Sequence, residues 1–306
     1  MGESALPTRP LLKPWYRLSV RETTAVFRYG GCLLEFEGRA ATRLLPHLLP
    51  LLDGTRTIDE IVAELGEPIR PAIVHALELL AGRHLLTEAM PAGRTVQFLA
   101  ATDACGRDAT TVAAALSRAR VTVVGSGGTA EEIARLLSDA EVEICDDEDA
   151  PVDLAIVAPA AHEMSRLRAW NERALEREAR WLQVLPFDGS IAAIGPIFVP
   201  HQTACHECYR LRRAATIAAV EDRENGAYPG APAFEAILAG LAATIALRHV
   251  VLDDGRFVGV LLAVEQIPEL ACTRHVLYRV PRCPVCSLAA QLAAPAPWPF
   301  LAEHAA

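Results

Sequence analysis

Residues 120–147 read RVTVVGSGGTAEEIARLLSDAEVEICDD, and this stretch decides the fold class of most of the chain. Val121 to Gly125 is a β-branched run closed by glycine. Ala130 to Ser138 has the apolar spacing of a helix, and Val142 to Asp146 returns to strand. The same rhythm continues downstream, with a strand at Leu154 to Ala158, a helix from His162 to Arg180 and a strand at Trp181 to Pro186. Strands that alternate with helices predict a mostly parallel, doubly wound sheet. Beyond it come an extended apolar segment at Ile191 to Val199, a long apolar helix at Phe234 to Leu252, and strand-like pieces at Phe257 to Val264 and His275 to Val280. The proline-rich tail from Pro295 is expected to pack loosely.

The turn inside that stretch could carry chemistry. Gly125, Gly127 and Gly128 stand between the first strand and its helix, where a helix N-terminus makes an anion site, and Asp146 ends the next strand at the spacing of a ribose contact. The structural alternative is that the glycines only let a strand turn into a helix. Glu141, Glu143, Asp146, Asp147, Glu148 and Asp149 crowd the neighbourhood with negative charge, and no lysine is near to offset it. That field argues against bound phosphate.

Upstream the pattern differs. Tyr16 to Val20, Thr24 to Tyr29 and Cys32 to Glu37 read as strands, with Gly30-Gly31 as the turn between the last two. A helix is expected over Ala40 to Leu52. A second opens at Thr57-Ile58-Asp59-Glu60, where threonine and the glutamate three residues on form a capping box. A third runs from Arg70 to Arg83 with Ile73, Leu77 and Leu80 on one stripe, followed by a short strand at His84 to Thr87. This inventory predicts a winged helix-turn-helix domain over residues 1–90, a connector over 91–118 containing an Ala-rich helix from Ala109, and the α/β domain over 119–306.

At 306 residues the chain is about twice the usual single-domain length, in keeping with two domains. Hydrophobic residues at 52% and charged residues at 22% supply material for real cores and exclude a disordered chain. The net charge of -9 makes a long polyanion an unfavourable ligand for the whole surface. No apolar run has the length of a membrane span and no signal peptide opens the chain, so a soluble cytoplasmic protein with no membrane partner is expected. The winged-helix segment carries eight arginines, no lysine and ten acids between Tyr16 and Glu88, a poor balance for reading phosphates. Strand addition is the better use: a peptide would pair with the exposed edge at Cys32 to Glu37 and drop side chains into a groove against the third helix. Arg28, Leu33, Leu34, Glu35, Phe36, Arg70, Ile73, Val74 and Leu77 are the candidate contacts; the apolar ones could equally be core.

The most specific motif is Cys205-His206-Glu207-Cys208 with Cys283-Pro284-Val285-Cys286. Two Cys-x-x-Cys knuckles bring four soft thiolates to one point, which suits tetrahedral Zn²⁺ with no position left for substrate, hence a structural site. A redox role is disfavoured because neither pair is expected to open a helix after a strand. Arg210, Arg212 and Arg213 raise the possibility of a nucleic-acid-binding ribbon, but they lack interleaved aromatics, and a solvated face or dimer contact is the plainer reading. Cys32, Cys105, Cys145 and Cys272 default to packing.

The segment Gly195-Pro196-Ile197-Phe198-Val199-Pro200-His201-Gln202-Thr203-Ala204-Cys205-His206-Glu207-Cys208, with the closing Pro281-Arg282-Cys283-Pro284-Val285-Cys286, resembles the paired-knuckle segments of ThiF-like proteins in ribosomal peptide natural-product (RiPP) pathways. The N-terminal portion looks like that family's leader-peptide recognition element. The resemblance implies an α+β winged helix-turn-helix peptide clamp followed by an α/β ThiF-like, Rossmann-type domain with a four-cysteine zinc site. It further implies a non-catalytic scaffold that delivers a precursor peptide's leader to a YcaO-type cyclodehydratase for azoline formation, and a homodimer. Active relatives follow the acidic strand end with a segment bearing asparagine, arginine and lysine that contacts ATP. Here Asp149 is followed almost directly by Pro151-Val152-Asp153-Leu154, so that segment is missing and ATP is not expected to bind. The competing readings are an ATP-dependent enzyme that adenylates a peptide carboxylate and a winged-helix DNA-binding regulator.

Overall fold

The computed structural model describes residues 6–21, 24–88, 109–217, 231–266 and 269–287. Residues 91–108 of the expected connector, Cys105 and the Pro295 tail lie outside them. The chain divides into two compact units, Met1–Ala114 and Ala115–Ala306, with the division inside a helix at Ala109–Leu116.

The first unit holds β1 (Pro10–Leu12), β2 (Arg17–Val20), β3 (Thr24–Tyr29), β4 (Cys32–Glu37), α1 (Arg39–Arg43), α2 (Leu45–Leu48), α3 (Ile58–Leu65), α4 (Arg70–Gly82) and β5 (Leu86–Glu88). β2, β3 and β4 form an antiparallel meander, and β1 pairs with β5. The β3–β4 turn puts Gly30 at φ 56°, which glycine adopts without strain. Expected and observed elements agree closely except for β1, which the sequence reading did not anticipate, and over Ala40 to Leu52. There Pro46 and Pro50 withhold the N–H groups a continuous helix needs, so α1, α2 and a 3₁₀ turn at Leu49–Leu51 replace it. The Thr57 box is present: Glu60 N donates to Thr57 Oγ1 at 3.3 Å and Thr57 N to Glu60 Oε2 at 2.7 Å. Ile73, Ala76, Leu77, Leu80 and Ala81 of α4 bury one stripe in a core shared with Ala25, Phe27 and Leu48.

The second unit is built on a seven-stranded sheet of β6 (Arg120–Val124), β7 (Glu143–Ile144), β8 (Leu154–Val157), β9 (Trp181–Leu185), β10 (Ile191–Phe198), β11 (Val260–Glu265) and β12 (Cys272–Val276), in the order β12-β11-β10-β9-β8-β6-β7. Its helices are α5 (Ala109–Leu116, shared with the first unit), α6 (Gly128–Asp139), α7 (Ser165–Arg177), α8 (His206–Ile217) and α9 (Pro232–Leu252). Only β7, β6, β8 and β9 are parallel; β10, β11 and β12 are antiparallel, which corrects the expectation of a mostly parallel sheet. The reversal is made at Asp188-Gly189. The Asp188 carboxylate accepts from Ser190 N and Ile191 N, both at 2.9 Å, and turns the chain back without a crossover helix.

Alternate residues of the strands face different helices. Ala155, Val157, Trp181 and Leu185 pack on Leu167, Trp170 and Ala174 of α7 and on Tyr209 of α8. α9 packs against α6, β8 and β10. At 21 residues and mean hydropathy 1.6, α9 is long and apolar enough to span a bilayer, but 56% of its most apolar window is buried within the fold.

Candidate functional site

The four knuckle cysteines converge. Their Sγ atoms all lie within 4.8 Å of one another, with Cys205–Cys208 at 3.9 Å, Cys205–Cys283 at 3.7 Å and Cys208–Cys286 at 3.5 Å. A tetrahedron with Zn–S bonds of ~2.3 Å has edges of about 3.8 Å, so the spacing is that of a zinc shell and far too long for disulfides. Cys205, Cys208 and Cys283 are buried. Without a cation such a cluster holds charge poorly. The Cys205 thiol donates to Cys208 and brings its pKa down to about 4, while burial pushes Cys286 up to about 12. A dication is what would let all four sulfurs be thiolates together. The residues present fit Zn²⁺, and no sulfur is left over for catalysis.

Cys205 immediately precedes α8, so, contrary to the expectation from sequence, the first pair does open a helix after a strand. The metal reading rests instead on the second pair lying within contact distance of the first. His206, inside the knuckle, faces away from the metal shell: its Nδ1 lies 2.9 Å from Gln183 Oε1, and its backbone N donates to Asn171 Oδ1 at 2.9 Å. All three residues are buried, and the Gln183 side-chain nitrogen has no partner among the described residues. Linear spacing offered no hint of this network.

The three arginines after the knuckle are engaged structurally. Arg210 pairs with Glu207 at 2.9 Å, Arg213 with Asp188, and Arg212 donates to the carbonyls of Tyr278 at 2.7 Å and Arg279 at 3.1 Å. Arg279 in turn donates to the Thr203 carbonyl at 2.7 Å, so these groups tie the closing segment to the first knuckle. In the family-like Gly195-Pro196 pair, Gly195 has φ +87° and a Cβ there would sit 2.6 Å from the Val260 carbonyl oxygen. Only glycine allows β10 and β11 to approach so closely.

At the glycine turn the structural reason for Gly125 is explicit. Its φ is +141°, and a Cβ would lie 2.0 Å from the Ala158 carbonyl oxygen where β8 ends. The turn therefore sits between β6 and β8, the point where strand order reverses and ligands of open α/β sheets bind. Two of the chain's own carboxylates are already there. Ser126 Oγ donates to Glu163 Oε2 at 2.7 Å, which holds the Glu163 carboxyl below its ordinary range. Glu235 of α9 places Oε2 3.2 Å from where a Gly128 Cβ would be, at the N-terminus of α6. Asp146 is exposed just past β7. Neither glutamate was singled out from sequence, since each lies far along the chain from the turn.

The acidic run behaves differently from the sequence expectation. Arg173 reaches Glu148 at 3.1 Å, Arg166 reaches it at 3.4 Å, and Arg177 reaches Asp149 at 2.5 Å, all from α7. Those acids are thus offset by arginines that the fold brings in. They line a cleft of about 500 Å³ with Trp170, Arg177 and Arg180, at the end of the sheet where the inner strands β8 and β9 begin, opposite the glycine turn. What opposes a phosphate at the turn is Glu163 and Glu235.

In the first unit the candidate peptide contacts separate into three groups. Ile73 and Leu77 are completely buried and serve the core. Arg70 is bound to Asp59 at 2.8 Å and Glu67 at 2.6 Å on an exposed surface. The remainder surrounds β4, which has no strand on its outer side among the described residues. Leu34 and Phe36 are half-buried against Phe27 and the core, Val74 is half-buried, and Arg28, Leu33 and Glu35 are exposed.

No protein-family model matches the chain, and no curated protein matches it. Solved structures do. The heterocyclase TruD is similar at TM-score 0.70 and 26% identity, covering 92% of this chain and 43% of that one. A heterocyclase solved in complex with substrate and cofactor is similar at TM-score 0.72 and 26% identity, covering 91% of this chain and 39% of that one. This chain spans about two fifths of the length of those heterocyclase chains. E. coli MccB with ATP has TM-score 0.58 at 12% identity, covering 91% of this chain and 99% of that one, which shows a shared fold. These likenesses support the resemblance to ThiF-like proteins of RiPP biosynthesis, and the large mixed sheet fits that α/β fold.

Proposed function

We propose that this chain is a leader-peptide-binding scaffold of RiPP modification: a winged-helix clamp in the first unit takes a precursor's leader as a fourth strand beside β4, and the zinc-stabilised second unit docks a YcaO-type cyclodehydratase. The observation that carries the reading is the unpaired β4 edge, with apolar Leu34 and Phe36 half-open on one face and Leu33 on the other. The likeness to heterocyclases over nearly the whole chain supports ring formation on a peptide as the pathway step. A non-catalytic role is supported by Glu163 and Glu235 at the glycine turn and by the short connection, residues 145–153, between β7 and β8. The protein is read as cytoplasmic and two-fold dimeric.

Binding of a fluorescein-labelled synthetic peptide with alternating large apolar residues, followed by fluorescence anisotropy, tests this. Glu35→Pro removes an edge N–H without touching the core, so it should weaken leader binding at least about tenfold while metal content stays the same. Unchanged affinity would move the peptide site elsewhere. The adenylating reading is favoured by the fold shared with ATP-bound MccB. Pyrophosphate–ATP exchange by this chain alone would establish it and end the scaffold reading.

A further inference from the structure

Resting on the strand-addition reading, we propose that the outer face of the β2–β3–β4 sheet selects leaders by charge order, accepting an antiparallel strand whose chain sequence runs apolar, basic, apolar, acidic. Arg17 and Arg28 stand directly opposite each other on this face, both exposed, with no carboxylate partner among the described residues. Directly opposed like charges are destabilising. Their repulsion favours an Arg28 guanidinium turned toward β4, over its cross-strand neighbour Leu33, which is 56% exposed. Two residues along β4 on the same face stands Glu35, opposite Val26. The edge of β4 thus offers positive charge at Leu33 and negative charge at Glu35.

The backbone points the same way. A two-residue turn makes Tyr29 and Cys32 a hydrogen-bonded pair, and by alternation Phe27–Leu34 and Ala25–Phe36 are bonded pairs as well. The backbone N–H and C=O groups of Leu33 and Glu35 therefore face the open edge. An added strand places one residue ~4.8 Å from Glu35 and another ~10 Å from Arg28, within joint reach of an arginine and a glutamate side chain. Its intervening residues fall beside Leu34 and Phe36 and must be apolar. Antiparallel addition continues the meander, so the position opposite Glu35 comes first in the added chain and that opposite Leu33 two residues later.

The test uses synthetic peptides with the cores Leu-Lys-Leu-Glu-Leu, Leu-Glu-Leu-Lys-Leu and Leu-Gln-Leu-Gln-Leu, titrated to about 2 mM against the full-length chain and followed by the amide resonances of Leu33 and Glu35. The Lys-first peptide should bind about tenfold more tightly than the Glu-first peptide at low salt. Arg28→Gln combined with Glu35→Gln should bring that ratio to about one, and a ratio that persists in the double variant would overturn the charge-order proposal. Equal or reversed preference in the wild-type protein would overturn the charge-order proposal and leave strand addition standing. No shift of either amide with any peptide would overturn both.

Discussion

If the four knuckle cysteines hold Zn²⁺, loss of one of them should expose how much of the second unit depends on the clip between its knuckles. Cys205 and Cys283 lie 78 residues apart, as do Cys208 and Cys286, so a metal held by all four would close a loop of that length. Treating the shell as one cross-link, the loop-closure entropy removed from the unfolded chain corresponds to about 4.5 kcal/mol at 25 °C. For a unit of this size each kcal/mol moves the melting temperature by about 2–4 °C. Cys283→Ser should therefore lower the melting temperature of the second unit by about 10–15 °C, with loss of the bound metal. Calorimetry paired with elemental analysis reads both quantities. A chelator should reproduce the shift on the wild-type protein, and added Zn²⁺ should reverse it. Cys32→Ser, an exposed cysteine outside the cluster, is the control and should change neither. Wild-type protein that carries no metal, or that melts at the same temperature with and without chelator, would refute the reasoning.

Gly125→Ala should destabilise the second unit by about 3 kcal/mol or more in urea unfolding, because its Cβ would overlap the Ala158 carbonyl; a loss under about 1 kcal/mol would contradict the packing described. Asp254 is held at a pKa of about 2: burial alone would raise it, but hydrogen bonds from Arg256 and Arg248 outweigh that. Its folded pKa is depressed, so its contribution of about 2 kcal/mol is complete above pH ~4 and disappears as pH falls toward 2. Asp254→Asn should thus cost about 2 kcal/mol at pH 7 and little at pH 2, as read by denaturant midpoints. Arg70→Ala removes only exposed pairs with Asp59 and Glu67, so stability should change by less than about 0.5 kcal/mol and leader affinity not at all, a null result that anisotropy can check.

Much of this protein is local in origin and so was visible along the chain. The Thr57 capping box, the Gly30-Gly31 turn, the α4 stripe and the rhythm from Val121 to Pro186 depend on neighbours within about one helical turn or one strand, where side-chain periodicity reports directly on burial. The two cysteine pairs were also readable, because the chemistry of four thiolates restricts what they can do wherever the backbone carries them. Even some misreadings had a local signal: Pro46 and Pro50 break the expected helix, and Asp188-Gly189 announces the reversal that makes the sheet mixed.

What tertiary structure decided is which distant groups meet. Residue spacing alone made Asp146 the notable acid near the glycine turn, whereas the fold brings Glu163 and Glu235 to it from distant parts of the chain. Glu148 and Asp149 of the acid run looked uncompensated until α7 delivered Arg166, Arg173 and Arg177. Arg70 was a candidate peptide contact that the fold pairs with Asp59 and Glu67, and Ile73 and Leu77, which from sequence could be groove or core, are core. Coulomb energy and burial depend on separation in space, and separation along the chain sets neither once the backbone has turned back on itself. Composition and periodicity therefore determined the elements, the open edge at Cys32 to Glu37 and the pairing of the cysteine knuckles, while the arginines set against Glu148 and Asp149 and the carboxylates at the glycine turn belong to the packed structure alone.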